Sequence, residues 1–481
     1  MRLLDVWVSG CGPVLAGAVL LASGGANAQP RTLQDALSAA YSNNPTLQTS
    51  RAQLRATDEG VPQALSGWRP TVVLGGGVGY GFGDLTSGSN ITGVNSGSGS
   101  GSGGSITTQQ RRDITTVSAT LTQPIYRGGA TRAGTNQADN RVFAQRGRLI
   151  ATEQQVFSDT INAYVTVIQT QQVLQLNINN EQVLARQLQA TNDRFRVGEI
   201  TRTDVAQAEA ARAGARATRQ TSEGNLQTAR SNYRRYVGDL PDQLVEPQPL
   251  KLPIKNQNEA SQLASQNNPN VIAALFDAAA SRDAIDVAFS QLMPQLSVQA
   301  QGARNDNQTI VNQRSLGGTV LLNASVPLYQ GGAEYSRVRQ ARQTEQQSRR
   351  TVDDVRRQSV QQASQAWETL VAARSTIDST RAQIRANQIA LEGVQREAIV
   401  GSRTTLDVLN AEQALLNSRV TLVQNLSSLV TASYSVAAAT GRLTARDLNL
   451  NVPLYDETAY YNAVRDRLFG VSDYAVTQPG R

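Results

Sequence analysis

The chain has 481 residues, with 45 Lys plus Arg against 38 Asp plus Glu, a formal charge of +7, no histidine and one cysteine. That composition excludes His-dependent catalysis, Cys/His zinc sites and a disulfide framework, and nothing in the sequence calls for a cofactor or a metal. The arginines are spread along the chain, so the positive balance reads as a solvated basic surface. With no localised basic patch and no nucleic-acid motif, a nucleic-acid partner is not expected.

The first 28 residues read as a secretory leader: Arg2 supplies the positive start, Val14 to Ala22 a short apolar run, and Ala26-Asn27-Ala28 a small-residue cleavage pattern. The run is too short to span a bilayer. Val8-Ser9-Gly10-Cys11 offers a competing lipoprotein cleavage box, although most of the apolar run follows it rather than preceding it. With cleavage after Ala28 the mature chain has no cysteine, which suits a compartment where a lone thiol would be oxidised.

Beyond the leader the sequence is written twice. Asn43-Asn44-Pro45 recurs as Asn267-Asn268-Pro269 and Pro70 as Pro294, at an offset of 224. Gln123 to Gly129 (Q-P-I-Y-R-G-G) recurs as Val326 to Gly332 (V-P-L-Y-Q-G-G), and Arg196 to Val205 recurs as Ile399 to Val408, at an offset of 203. The first copy therefore carries about 21 extra residues, and they coincide with Ser87 to Ser105, a Gly/Ser/Asn/Thr tract that reads as a flexible loop. The expected organisation is a first repeat over 29–254, a second over 255–442, and an equatorial segment and tail over 443–481.

Each repeat opens with a helical segment, Leu33 to about Gln63 and Glu259 to about Gln291. Two strands follow, predicted near 71–83 and 113–126 in the first copy and near 295–304 and 316–328 in the second. Val72, Leu74, Val78, Tyr80 and Phe82 share one parity, as do Val320, Leu322, Ala324, Val326 and Leu328, so each strand has one apolar face. A hairpin packed on a soluble core would give this pattern. The Gly, Thr, Ser and Gln on the second face suit the polar lumen of a membrane barrel better.

Long helices come next, for no proline lies between Pro124 and Pro241 or between Pro327 and Pro453, and Ala, Gln, Arg, Leu and Glu dominate. Residues 130–195 as one helix would span roughly 100 Å, and so would 333–398. Helices of that length pack side by side as coiled coils, so helical hairpins are predicted over about 130–237 and 333–440. Gly198 and Gly401 mark the turns at their tips. The apolar stripe is diluted, with Gln207 to Gln227 mainly Ala, Thr, Ser, Arg and Gln. A tube wall tolerates that better than a two-stranded fibre does.

Four strands cannot close a barrel alone, because an open sheet edge cannot face lipid, whereas three chains supply twelve. With the paired N-N-P motifs, the P-I-Y-R-G-G and P-L-Y-Q-G-G strand exits and the paired V-G tips, the chain resembles the TolC family of outer-membrane ducts over nearly its whole mature length. The fold class this implies is mainly α with a membrane β part: a homotrimer with a shared 12-stranded outer-membrane β-barrel and a periplasmic α-barrel of long hairpins. The resemblance also implies a periplasmic gate, in which an Arg of the second tip pairs with an Asp and contacts a Thr of the first. The matching positions are Arg403, Asp204 and Thr203. Asp407 matches one position of an acidic ring at the entrance, while Asn410 stands at a second acidic position and Ala398 where a latch tyrosine is found. These departures imply a looser gate and weaker cation selection. Capping of the return helices is an alternative role for Asp204 and Asp407, and the two roles are compatible. Val197, Gly198, Val400 and Gly401 match the docking tips for a periplasmic adaptor (membrane fusion) protein.

The resemblance therefore implies a passive duct that gives substrates of an inner-membrane ABC or RND-type transporter passage from periplasm to exterior, in type I protein secretion, drug efflux or both. A surface-displayed structural or adhesive coiled-coil protein is the alternative, and it leaves the strand pairs unexplained. A hydrolase would need a carboxylate pair or a Ser–Lys site, and no such motif stands out.

Overall fold

The computed structural model describes residues 31–88, 105–308 and 310–472. The leader with Cys11, most of the Gly/Ser tract and the last nine residues lie outside the described residues.

Three short helices open the first repeat, α1 (Leu33–Asn43), α2 (Pro45–Asp58) and α3 (Gly60–Leu65), followed by strands β1 (Thr71–Gly88) and β2 (Ser105–Arg127) and helices α4 (Ala130–Arg196) and α5 (Arg202–Val237). The second repeat runs α6 (Gln257–Asn267), α7 (Pro269–Ser290), β3 (Gln295–Asp306), β4 (Arg314–Ser325), α8 (Ala333–Ile399) and α9 (Thr405–Ala439), and a short α10 (Ala459–Val464) follows. Among the described residues no helix is long and apolar enough to cross a membrane, which says nothing about a β-barrel.

The opening helical segment of each repeat is not continuous, as the sequence suggested, but breaks at N-N-P. Pro45 and Pro269 occupy the first turn of the following helix, where the missing N–H costs nothing. The preceding asparagine caps that helix and does a second job. Asn44 accepts from the Thr46 N–H at 2.9 Å and donates its Nδ2 to the Tyr236 carbonyl at 3.1 Å. Asn268 accepts from the Asn270 N–H at 2.9 Å and donates to the Ala439 carbonyl at 3.2 Å. Both asparagines are buried. One amide therefore satisfies an orphan donor at a helix start and an orphan carbonyl at the end of the return helix.

The strands form one antiparallel sheet in the order β1-β2-β3-β4. In the first pair Val72 faces Leu121 and Phe82 faces Arg111. β1 and β2 extend into the tract predicted to be loop, with Ser87, Gly88 and Ser105 in the ladder. β4 ends at Ser325, three residues short of the predicted 328, so Val326 and Leu328 are not part of its alternation. Pro327 lacks the N–H a further rung would need. Pro124 stays inside β2 because the register shifts there, between Pro124 and Tyr126. Each strand pair hands over to a long helix through a Gly-Gly pair with φ of +61° and +86° at 128–129 and +68° and +80° at 331–332, a left-handed path that residues with a Cβ resist.

α4 and α8 are 67 residues each, about 100 Å long. α5 folds back on α4 and α9 on α8, while α7 packs between the upper parts of α4 and α8. Along α8 the buried positions include Val338, Glu345, Val352 and Ser359, a seven-residue repeat in which half the members are polar. The seam is therefore a narrow heptad stripe with mixed chemistry. The same rung is filled in both hairpins with the residue types exchanged: Asn177 donates to Ser222 at 2.8 Å, and Asn425 donates to Thr380 at 2.9 Å.

The main apolar core sits midway along the molecule, where α1, α2, the middle of α4 and the ends of α5 and α9 meet. Leu244, Leu250 and Leu252 of the inter-repeat connection and Leu443, Leu450 and Tyr461 after α9 pack on it. The Tyr164 hydroxyl reaches the carbonyls of both Arg31 and Val245, tying the first described residue to that connection. Beside the core, Asp58 is fully buried with neither carboxylate oxygen hydrogen-bonded within the chain. Burial pushes its carboxyl up to about 7, although Arg146 and Arg55 oppose the shift. The Arg146 guanidinium lies over the rings of Phe143 and Tyr461.

Two tests follow from this packing. Asn44→Asp and Asn268→Asp each keep the capping acceptor but replace the donor to the return-helix carbonyl with a carboxylate; each is expected to cost about 1–3 kcal/mol, read by chemical denaturation. For Asp58 the unfolded chain ionises above the ordinary value while the native chain holds its proton to about pH 7, so native stability falls as pH rises between those limits. Asp58→Asn should therefore raise the melting temperature by several degrees at pH 8 and leave it nearly unchanged at pH 4.

Candidate functional site

Two regions can carry function: the ends of the helical hairpins and the sheet. Each tip turns within five residues. α4 ends at Arg196, Gly198 has φ +81°, its N–H bonds to the Phe195 carbonyl at 2.9 Å, and the Glu199 N–H returns to the Arg194 carbonyl at 3.0 Å. α8 ends at Ile399, Gly401 has φ +79°, and the Ser402 N–H returns to the Glu397 carbonyl at 2.9 Å. The positive φ is the reason glycine stands at both places.

The return helices start at matching capping boxes. Thr201 caps α5, and Asp204 Oδ2 accepts from the Thr201 N–H at 3.0 Å and from its hydroxyl at 2.7 Å. Thr404 caps α9, and Asp407 Oδ2 accepts the same two bonds at 3.0 and 2.8 Å. These bonds from Thr201 and Thr404 hold both carboxyls below their ordinary value. The capping role weighed for Asp204 and Asp407 is therefore present.

Within one chain Arg403 does not reach Asp204. Its Nε donates to Glu397 Oε2 at 2.9 Å, and Asp407 is the next carboxylate that acts on its charge. The tight turn explains this, because it folds the residue after Ser402 back onto the last turn of α8. In the first tip Arg194 pairs with Glu199 at 2.6 Å. Arg194 and Glu397 match at the 203-residue offset, so the two tips hold the same local ion pair with the charges exchanged. Arg194, Glu199 and Glu397 were not singled out from the sequence; the constant offset aligns Arg194 with Glu397 but Glu199 with the uncharged Ser402, so it would have pointed to the first two and not to Glu199. Thr203, Arg403 and Asn410 are exposed, as are Val197, Gly198, Val400 and Gly401. Val197 and Val400 are 77 % and 78 % exposed, large values for valine at a folded turn.

The sheet has two chemically distinct faces. Val72, Leu74, Val78, Tyr80 and Phe82 of β1 lie on the same face as Val117 and Leu121 of β2, Leu296 and Val298 of β3, and Leu316, Val320 and Leu322 of β4, by the strand register. Leu74, Val78 and Phe82 are each about four-fifths exposed. The opposite face carries Gly75, Gly77, Gly79, Gly81, Thr116, Ser118, Thr120, Gln299, Gln301, Thr319 and Asn323. An apolar outside, a polar inside and two unpaired edges, β1 and β4, form a segment of a membrane barrel. Among the described residues no group of three or more His, Cys, Asp or Glu is placed to hold a metal ion.

A barrel segment of this kind, continuous with helices of about 100 Å, defines a protomer of an outer-membrane export channel, a passive duct and not an enzyme. Comparison with known proteins gives the family. The chain belongs to the outer membrane efflux protein family, whose model matches residues 36–239 and 260–442, one match per repeat. It is 34 % identical to the outer membrane efflux protein BepC of Brucella suis, over 96 % of this chain and 97 % of that one. It is 25 % identical to the outer membrane protein TolC of Escherichia coli, over 91 % and 87 % of the two chains. The Campylobacter jejuni CmeC outer membrane channel has the same fold, with a TM-score of 0.71 at 16 % identity over 85 % of each chain.

The caps at the tips are testable without any transport assay. Thr404→Ala removes one capping oxygen and the hydroxyl bonded to Asp407; a loss of about 1 kcal/mol should speed hydrogen exchange of the first-turn amides of α9 roughly fivefold, with the core of α9 unchanged.

Proposed function

We propose that three copies of the chain pair β4 of one with β1 of the next into a 12-stranded barrel. The six helical hairpins then form the wall of a periplasmic tube. The observation that carries this reading is the sheet itself: its apolar face, about four-fifths exposed at its most open positions, is unfavourable in water, and its two unpaired edges are unfavourable in lipid. The duct is passive. It receives substrates from an inner-membrane transporter of the ABC or RND type through a periplasmic adaptor, and serves efflux, type I protein secretion or both. The BepC and TolC likenesses support export across the outer membrane and leave the substrate open.

The tips are the proposed periplasmic gate and docking surface. Exposed Val197 and Val400, each beside a glycine without a side chain, offer an apolar, low-profile surface to an adaptor helix. Arg403 lies in the second loop, Thr203, Asp204 and Asp407 lie within one helical turn of the loops and Asn410 in the second turn of α9, so convergence of six tips would bring these side chains around the tube's end. A threefold ring of Asp407 carboxylates favours cations, and Asn410 adds no charge to it. Contacts between exposed charges are worth about 0–1 kcal/mol each, so a gate made of several of them holds and still yields to a bound partner.

Single-channel recording in planar bilayers tests this. The parent should show a small conductance that rises severalfold in Arg403→Ala combined with Asp204→Ala. Asp407→Asn should shift the reversal potential in a salt gradient away from the cation limit. A wide parental pore unaffected by either change would remove the gate but keep the duct. A protein that forms no channel in any version would remove both.

A further inference from the structure

The apolar face of the sheet ends in charge at the β3–β4 hairpin. On that face β3 reads Leu296, Val298, Ala300, Gly302, Arg304, Asp306, and β4 begins Arg314, Leu316. From Leu296 to Arg304 is about 26 Å along the strand at roughly 3.3 Å per residue, close to the height of a barrel's apolar band once the strand tilts. The other ends of the strands lead into the helices. The charged rung therefore stands at the membrane surface remote from the helical tube, at the level of the outer-leaflet headgroups. This placement rests on the barrel reading proposed above.

The rung is built as a unit. Asp306 accepts from Arg304 Nε at 3.2 Å and Nη2 at 3.0 Å through one oxygen, and from Arg314 Nε at 3.0 Å through the other. The hairpin turn that sets it is closed by its own bonds: Asn307 N–H to the Gln313 carbonyl at 2.8 Å and Asn312 N–H to Asn307 Oδ1 at 2.7 Å. Asn307 Nδ2 then donates to the Asp113 carbonyl at 3.0 Å, fixing the turn against β2. Asp306 is the most covered of the three, with 24 % of its side chain exposed, against 48 % and 67 % for Arg304 and Arg314. The carboxylate is thus occupied by holding two guanidiniums side by side. Each guanidinium has five N–H donors, so most donors of the pair point elsewhere, and the unit keeps one net positive charge.

We propose that Arg304 and Arg314, held by Asp306, form a binding site for the phosphate of a phosphorylated outer-leaflet glycolipid, three sites per trimer. Planar guanidinium forks match phosphate oxygens two at a time, and the membrane surface supplies such phosphates at the right depth. A divalent cation does not fit the same place, because its carboxylate is already engaged by two arginines. Leu316, which faces Arg304 across the pair and is about four-fifths exposed, lies where the acyl chains of such a lipid begin.

The test uses the purified full-length trimer and native mass spectrometry with diphosphoryl lipid A, the same lipid stripped of phosphate, and inorganic phosphate as probes. The parent should retain up to three diphosphoryl lipids per trimer and bind the stripped lipid at least tenfold more weakly. Arg304→Gln with Arg314→Gln should lose at least tenfold in diphosphoryl lipid binding. Arg314→Gln alone, at the most exposed of the three positions, should lose part of it and guards against misfolding of the double variant. Equal binding of the stripped lipid, or full binding by the double variant, overturns the site. Tight binding of inorganic phosphate in place of the lipid also overturns it, as a free-anion site. Planar-bilayer channels formed by both variants, with parental conductance, separate failure of this site from failure of the barrel reading.

Discussion

Every backbone N–H and C=O that enters a bilayer must be paired inside the protein, and that demand organises this molecule. The chain makes only four strands, and both outer strands present open edges. Assembly is therefore built into the fold and is not an addition to it. Each repeat contributes one hairpin to the sheet, and the two hairpins pair through β2 and β3. The Gly-Gly pairs at 128–129 and 331–332 give the chain a left-handed two-residue path from each strand exit into the next long helix.

The stabilising core lies far from both functional ends. Tyr164, Tyr233, Phe157 and Leu37 are fully buried at the midpoint, where the two repeats, their connection and the segment after α9 meet. Below that level the hairpins rely on narrow seams in which polar pairs alternate with small apolar residues. A polar pair in such a seam contributes little net energy but fixes register, because a slipped helix would bury an unpaired amide. The exchange of Asn between Asn177–Ser222 and Thr380–Asn425 is consistent with selection on the rung and not on the residue. The Arg194–Glu199 and Glu397–Arg403 pairs obey the same logic at the tips.

Much of this was legible in the sequence, for identifiable reasons. Repetition exposed the architecture, because two constant offsets cannot arise without two structural copies. Strand parity exposed the two faces of the sheet, since Val72, Leu74, Val78, Tyr80 and Phe82 share one parity while Gly75, Gly77, Gly79 and Gly81 hold the other. Proline-free composition exposed the long helices. What stayed hidden depends on contacts between segments distant in the chain. N-N-P was legible only as a repeated landmark inside a helical segment, yet Asn44 and Asn268 each start a helix and bond the carbonyls of Tyr236 and Ala439, 192 and 171 residues away. Asp58 was not singled out, because nothing in the sequence around it marks a buried carboxylate. Only the packing of three separate segments buries it. Arg403 was matched to a partner in the other hairpin, while the turn geometry brings Glu397 of its own helix into reach first.

The bonding at the tips constrains how the tube's end would move. Each tip is closed by a glycine turn, a capping box and an ion pair, all within its own hairpin. None of these bonds crosses from one hairpin to the other, so none needs to break when the hairpins separate. Opening then costs only what the contacts between hairpins contribute, and the tip loops travel as rigid ends of the long coils. In the docking proposed above, a partner that grips Val197 and Val400 would act on an arm of roughly 45 Å between the buried core and the tip, so that a small tilt at the core would become a larger displacement at the tip. The polar rungs inside each hairpin, Asn177 with Ser222 and Asn425 with Thr380, hold its two helices in register so that each hairpin would move as a unit.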